Sequence, residues 1–321
     1  MRVAAAWFVV VAGWVGGTII RATPQQAIFR ADAAAVTIDV SVRRRNAPVG
    51  GLTANNFELL DNGVRQQIAL VGIEEMPLDV TLAFDVGWFA SMSFGNRSES
   101  VLANVAALLR PIDRVRVITF ATDVREVFPM QGPETLSRGL LKMAPLDLHR
   151  AGRPSQAQLD VQRDPNLLES FSDAILFGLA RPPEAGRRHL VFAYGAGTDT
   201  GSILRYNEAL VPVASRSDAL LQIAWRVSWK SVTLPEGINP GSHLTYIRRV
   251  MDAAAAATGG SVWDVDDAVG GVKSILADFR SRYLLQYVPT GVARGGWHDV
   301  TVTTPKFPDY KIQARKGYLG R

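Results

Sequence analysis

Residues 78–85 read Leu-Asp-Val-Thr-Leu-Ala-Phe-Asp, an apolar run that ends on Asp85. Similar runs return at 114–120, 124–128, 189–193 and 219–227, with a shorter one at 262–265. Between them, apolar residues recur every three or four positions over 99–109, 133–142, 168–179, 207–215, 243–257 and 269–280. Short continuous apolar runs predict strands buried on both faces, and the longer period predicts amphipathic helices. Strands and helices in alternation predict an α/β fold, doubly wound, with a mostly parallel sheet and helices on both faces. Local signals agree with the helix ends. Gly132-Pro133-Glu134 places proline in a first turn, and Thr258-Gly259-Gly260 is a natural stop.

On either side the period falls to two. Val36-Thr-Ile-Asp-Val-Ser-Val42 alternates, 52–60 holds a turn and a strand, and Asp61-Asn-Gly63 is a hairpin turn with 66–72 as the return strand. Near the C-terminus 283–288, 297–303 and 310–315 alternate again. Neither flank has enough strands to close a core alone. The two together are expected to form one small β-sandwich, with the α/β region inserted between its halves. The expected division is 1–27 as a targeting segment, 28–76 as the first half of the sandwich, 77–282 as the α/β domain and 283–321 as the second half. Residues 146–165 have little periodicity and read as a long exposed loop.

The N-terminus changes the picture of where the protein acts. Arg2 precedes an apolar stretch from Ala4 to Ile20, and a polar, proline-containing segment follows. This is the pattern of a signal peptide cleaved near Ala27, which places the chain outside the cytoplasm, periplasmic or extracellular. The alternative is an uncleaved N-terminal anchor, the one route by which the chain would meet a membrane. Of 321 residues, 47% are hydrophobic and 20% charged, which suits a well-cored globular protein. The net charge of +5 is scattered: Arg43-Arg44-Arg45, Arg187-Arg188 and Arg248-Arg249 are the tight groups, and none is interleaved with aromatics as nucleic-acid stacking requires. No nucleic-acid partner is expected. With no cysteine, disulfides and thiolate metal sites are excluded. The four histidines, His149, His189, His243 and His298, have no metal-pair spacing. Neither a G-x-S-x-G elbow nor a phosphate-binding G-x-x-x-x-G-K loop occurs. No catalytic residue is assigned, and the chain is expected not to be an enzyme.

Several strings, in this order and spacing, resemble one family. They are Val36–Val42, Gly51-Leu-Thr-Ala-Asn-Asn-Phe-Glu-Leu-Leu-Asp-Asn-Gly63, Pro77-Leu-Asp-Val with the strand to Asp85, Leu108-Leu-Arg-Pro-Ile-Asp-Arg-Val-Arg-Val-Ile-Thr-Phe120, Ser172-Asp-Ala-Ile175, Thr198-Asp-Thr-Gly-Ser202, Ala257-Thr-Gly-Gly260, and Phe279-Arg-Ser-Arg-Tyr-Leu-Leu-Gln-Tyr287 with Arg315-Lys-Gly-Tyr318. Together they resemble the VWFA-related acidobacterial domain family, exported proteins of the von Willebrand factor A (vWA) type. The resemblance implies a vWA fold and a protein-binding or adhesion role. It also implies a cation site, built from an Asp and two hydroxyls in a first loop, a Thr in a second and an Asp in a third.

Here Asp85 matches the first Asp, but the hydroxyl positions are Gly87 and Phe89. A shifted alignment makes Ser91 and Ser93 the hydroxyls. Glu169 stands at the Thr position, and Ala196 at the third-loop Asp, three residues before Asp199. The expectation is therefore a degenerate ion site with no cofactor; the alternative retains Mg²⁺ or Ca²⁺ on Asp85, Ser91 and Ser93. Asp85 either caps its own loop or keeps a residual ion. Trp88 and Phe89 either offer an apolar contact surface or fold onto the sheet edge. The ligand-contact candidates are Asp85, Trp88, Phe89, Ser91, Ser93, Glu169 and Asp199, on the C-terminal edge of the parallel strands. The partner expected there is a protein. A hydrolase is the remaining alternative.

Overall fold

A computed structural model describes residues 35–71, 76–85, 104–121, 123–140, 170–181, 184, 186–195, 199, 201–203, 206–226, 240–265 and 268–320, all within one compact unit. The N-terminal segment, its cleavage point near Ala27 and the loop at 146–165 lie outside the described residues.

The central sheet has six strands: β6 (Leu78–Asp85), β7 (Arg114–Phe120), β8 (Val124–Gln131), β9 (Arg188–Gly195), β10 (Leu220–Arg226) and β11 (Val262–Val265). They lie in the order β11-β10-β9-β6-β7-β8. All neighbours are parallel except β7 and β8, so the antiparallel strand sits at one edge. Every position of β6 is buried, as its largely apolar run predicts, with Asp79, Thr81 and Asp85 buried too. The two-residue pleat sorts its side chains. Leu78, Val80, Leu82 and Phe84 pack on one face, with Val105 and Leu109 of the helical stretch at 104–108 and its exit. Ile275 and Phe279, which close the same face, belong to a C-terminal helix at Ala268–Ser281.

On the other face Ala83 joins a second cluster with Phe171, Ile175, Leu210, Ile247 and Met251. Among the described residues five α-helices have defined bounds: α1 (Pro133–Leu140), α2 (Phe171–Leu179), α3 (Tyr206–Arg216), α4 (Pro240–Ala257) and α5 (Ala268–Ser281). Helices therefore cover both faces, and the fold is the α/β arrangement expected.

The flanking strands form two antiparallel sheets. One has the order β14-β1-β12-β5, with β2 on β1; the other has the order β15-β13-β3-β4. β1 (Val36–Arg44) lies between β12 (Tyr283–Tyr287) and β14 (Lys311–Ala314), and β13 (Gly296–Thr303) lies beside β3 (Glu58–Asp61). Each sheet thus needs both ends of the chain. Their inner residues, among them Ile38, Val40, Leu59, Leu285 and Val302, make one core.

The hairpin turn falls at Asn62 and Gly63, with φ of 47° and 79°, the left-handed pair of a tight hairpin. A second such turn, at Arg45 and Asn46, folds β2 (Ala47–Pro48) back on β1. The hairpin's return strand is shorter and earlier than the 66–72 expected, and the strand within that span belongs to the other sheet. β4 (Val64–Arg65) pairs with β3, and then the chain crosses to the other sheet, where β5 (Ile68–Val71) pairs with β12. Gln66 makes the crossing. Its buried amide donates to the carbonyls of Val64 and Thr290 and accepts from the Thr290 N–H, satisfying backbone where neither sheet does. A last strand, β15 (Gly317–Gly320), pairs with β13 beyond those expected.

Asp61, fully buried, ties the two sheets. It accepts hydrogen bonds from Tyr287 (2.9 Å) and Tyr318 (2.8 Å) and meets His298 Nδ1 at 2.7 Å. Burial, helped by the Asp61 charge, pushes the Tyr318 hydroxyl up to about 12 and the Tyr287 hydroxyl higher still, so both remain donors.

Candidate functional site

Counted along the chain, the central sheet runs third, second, first, fourth, fifth, sixth. Its winding therefore reverses between β6 and β9. In open α/β sheets the crevice that takes ligands lies outside the carboxyl ends of the strands at such a reversal. Here β6 ends on Asp85 and β9 on Gly195.

Asp85 is 2% exposed and lies in register with Phe120, the last residue of β7. A Cβ on Gly195 would stand 3.1 Å from the Phe120 ring, 3.4 Å from the Phe171 ring and 3.5 Å from the Asp85 Cβ. Phe120 and Phe171 stack, with centroids 5.2 Å apart at 22°. Two aromatic rings and Asp85 thus converge on a bare glycine. A side chain at position 195 would press first on the Phe120 ring.

Behind the rings begins α2. The first turn of a helix leaves N–H groups without intrahelical acceptors. Here they are met from the loop after β9. Asp199 accepts from the Ser172 N–H at 2.9 Å and from the Ser172 hydroxyl at 2.5 Å. The Ser202 hydroxyl donates to Asp199 at 2.5 Å and accepts from the Asp173 N–H at 3.2 Å. Asp173 in turn accepts from the Ile203 N–H at 2.8 Å. Carboxylates at a helix N-terminus complement both its free donors and its dipole. Asp199 is 3% exposed and holds φ at 44°, a left-handed backbone that Asp tolerates better than most residues. Immediately beyond, Ile203 is 90% exposed.

Of the residues the sequence singled out, the structure places Asp85 at the end of β6 and Asp199 over the start of α2. Trp88, Phe89, Ser91, Ser93 and Glu169 lie outside the described residues. Ser202, which with Ser172 holds Asp199, was not among the candidates, although it sits in a string that carried the resemblance. Among the described residues no three His, Cys, Asp or Glu side chains group as a metal ion requires.

The opposite, N-terminal end of the sheet is a different environment. Asp79 accepts from Arg114 Nε at 2.8 Å and from Arg187 Nε at 2.6 Å. Burial alone would raise its pKa, but the two guanidinium groups outweigh it and hold the carboxyl below its usual range. Asp113 is held low in the same way by Arg110 and by the Leu78 N–H, against the upward push of burial. Next to them His189 meets the Thr81 hydroxyl at 3.1 Å, and burial pushes its pKa down to about 4.

No family model and no curated protein matches this chain. Solved structures do. The conserved hypothetical protein BatB from Bacteroides thetaiotaomicron shares 15% identity at a TM-score of 0.42, over 63% of this chain and 96% of that one. An aerotolerance-related membrane protein from Bacteroides fragilis shares 13% at 0.41, over 63% of this chain and 98% of that one. A von Willebrand factor type A protein from Catenulispora acidiphila shares 12% at 0.39, over 91% of this chain and 65% of that one.

Proposed function

We propose that this chain is an exported, non-enzymatic protein-binding module of the vWA type. It engages a partner through the C-terminal edge of its six-stranded sheet without a bridging cation. The order of its sequence motifs and the reversal of winding beside Asp85 support the vWA reading. The apolar segment from Ala4 to Ile20 supports export.

One observation carries the cation-free reading: both oxygens of the Asp199 carboxylate are engaged by Ser172 and Ser202. A hard divalent cation needs six or more oxygen ligands. Asp85 is buried next to Gly195, Gly87 and Phe89 stand in sequence where hydroxyls would be required, and Asp199 is committed to the start of α2. These residues do not fit the ion. In this reading the bond from Asp199 to Ser172 joins the loop after β9 to the start of α2 directly. The exposed Ile203, held by Asp173, is an apolar contact at the same edge.

Calorimetric titration of the whole chain with Mg²⁺ and with Ca²⁺ tests the proposal. The expected result is no saturable heat and no change in melting temperature. Saturable heat that disappears in Asp85→Ala would establish the ion-bridged version instead. Turnover in a broad hydrolase panel, abolished by the same substitution, would make the chain an enzyme.

A further inference from the structure

A second surface, away from the crevice, has the chemistry of a peptide site. β8 is the outermost strand of the central sheet, so its far edge has no partner strand in this chain among the described residues. On the sheet face beside it, over β7 and β8 and against the C-terminal half of α2, lies a wide, open depression of about 480 Å³. Its walls include Arg116, Glu126, Pro129, Met130, Phe177 and Arg181.

Three features of these walls stand out. Phe177 is 42% exposed on a helix whose other residues are nearly all buried. Arg116 is fixed: its guanidinium pairs with Glu126, reaches the Phe177 carbonyl at 3.4 Å and lies 4.6 Å from the Phe177 ring centroid. Its charge is thereby balanced by one carboxylate and its plane covers the ring. Arg181 has no hydrogen bond or ion pair among the described residues. The cavity thus has an apolar floor, one neutralised pair and one uncompensated cation.

We infer that this cavity docks an extended protein segment in which an acidic side chain sits next to an aliphatic one. The carboxylate pairs with Arg181, and the aliphatic group covers Phe177 and Met130. The charge balance selects an acidic occupant. The edge of β8, without a partner strand among the described residues, favours a chain over a free small molecule, because a strand laid there gains main-chain hydrogen bonds as well as side-chain contacts. Pro129, which has no N–H, limits that pairing to part of the strand and guards the edge against unselective strand addition. This surface is independent of the crevice at Asp85, so its success or failure leaves the proposal above untouched.

The test is an array of blocked pentapeptides Gly-Xaa-Asp-Xaa-Gly, each Xaa varied over all amino acids, with an Asn twin for every member. It is probed with the labelled whole chain, and the hits are measured by fluorescence anisotropy. Asp members with an aliphatic neighbour should bind about tenfold or more tightly than their Asn twins, because a charge-assisted bond is lost. Arg181→Glu should abolish the preference, while Arg181→Lys should keep part of it; circular dichroism and melting temperature verify that both variants fold. Raising ionic strength from about 50 to about 300 mM should weaken binding. The inference is overturned if no member binds better than its twin, or if Arg181→Glu binds unchanged. It is also overturned if free acetate or succinate competes as well as the peptides do, which would make this a small-carboxylate pocket.

Discussion

At the N-terminal end of the central sheet, Asp79 and Asp113 are gripped by Arg114, Arg187, Arg110 and Arg280. At the C-terminal end, the bonds seen around Asp199 and Asp173 come from serine hydroxyls and backbone amides. The first environment is charged and reaches toward the sandwich. There Arg188 joins Asp39 of β1 to the carbonyl of Phe279, and Asp278 joins Arg43 to Arg282. A guanidinium fork sets distance and plane together, so these contacts fix how β1, β6, β7, β9 and α5 sit against one another. The second environment is local: it ties the start of one helix to one loop. A sheet whose base is mounted by arginines can leave its upper edge to short-range contacts, and that edge is then open to sequence change without loss of the fold.

The largest effect should follow from breaking the mounted end. In Asp79→Ala, Arg114 and Arg187 lose their common carboxylate in a part-buried place. Removal of one member of such a pair costs about 3–5 kcal/mol. Urea unfolding should show that loss, with an unchanged m-value. A loss below about 1 kcal/mol would mean that these pairs behave as surface ion pairs, and the contrast between the two ends would fail.

The next effect is a pH dependence. His189 is held down to about 4 by burial, whereas the unfolded chain titrates at the ordinary value of about 6.5. Between those values the unfolded chain binds a proton that the folded chain refuses. Stability therefore rises with pH in this window and is lost as pH falls from about 6.5 to about 4. The full loss is about 3 kcal/mol. Below that, Asp79 and Asp113, both held low in the fold, lose their contribution as they protonate. Urea midpoints measured across this range should fall in the native chain and stay flat between pH 6.5 and 4 in His189→Gln, which keeps a partner for Thr81. A slope that survives the substitution assigns the effect elsewhere.

How far these contrasts could be read beforehand depends on the range of the interaction. β6, β9 and β10 announce themselves because a strand buried on both faces is largely apolar, and that shows over seven or eight adjacent residues with few polar interruptions. The crossing at Gln66 does not, because its partner Thr290 lies 224 residues away. Asp61 reads as the first residue of a hairpin turn, which it is. Its role as the link between sheets needs Tyr287, His298 and Tyr318, all more than 220 residues distant. Asp85 could be placed because it ends a strand. Asp199 could be placed as well, but its work as a cap depends on a left-handed backbone and on Ser172, 27 residues earlier. Phe120 and Phe171 look like any core aromatics in sequence, and only the fold brings both rings and Asp85 onto Gly195.

The smallest effect tests the upper edge itself. Asp199→Ala removes the acceptor of the Ser172 N–H and hydroxyl and of the Ser202 hydroxyl. Loss of such a cap costs about 1–2 kcal/mol, well under the cost at Asp79. The reach of the loss should also be short. With Ser202 released, the Asp173 and Ile203 amides should exchange with solvent faster, while amides of β6 and β9 keep their protection, because opening is local where few contacts hold. Hydrogen exchange followed by mass spectrometry or NMR distinguishes this from global softening. If β6 and β9 lose protection in step with α2, then Asp199 supports the sheet as the arginines do, and the two ends of the sheet are built alike. If protection is lost at α2 alone, in Mg²⁺ as well as in its absence, the hydrogen-bonded tie is what holds this edge in place.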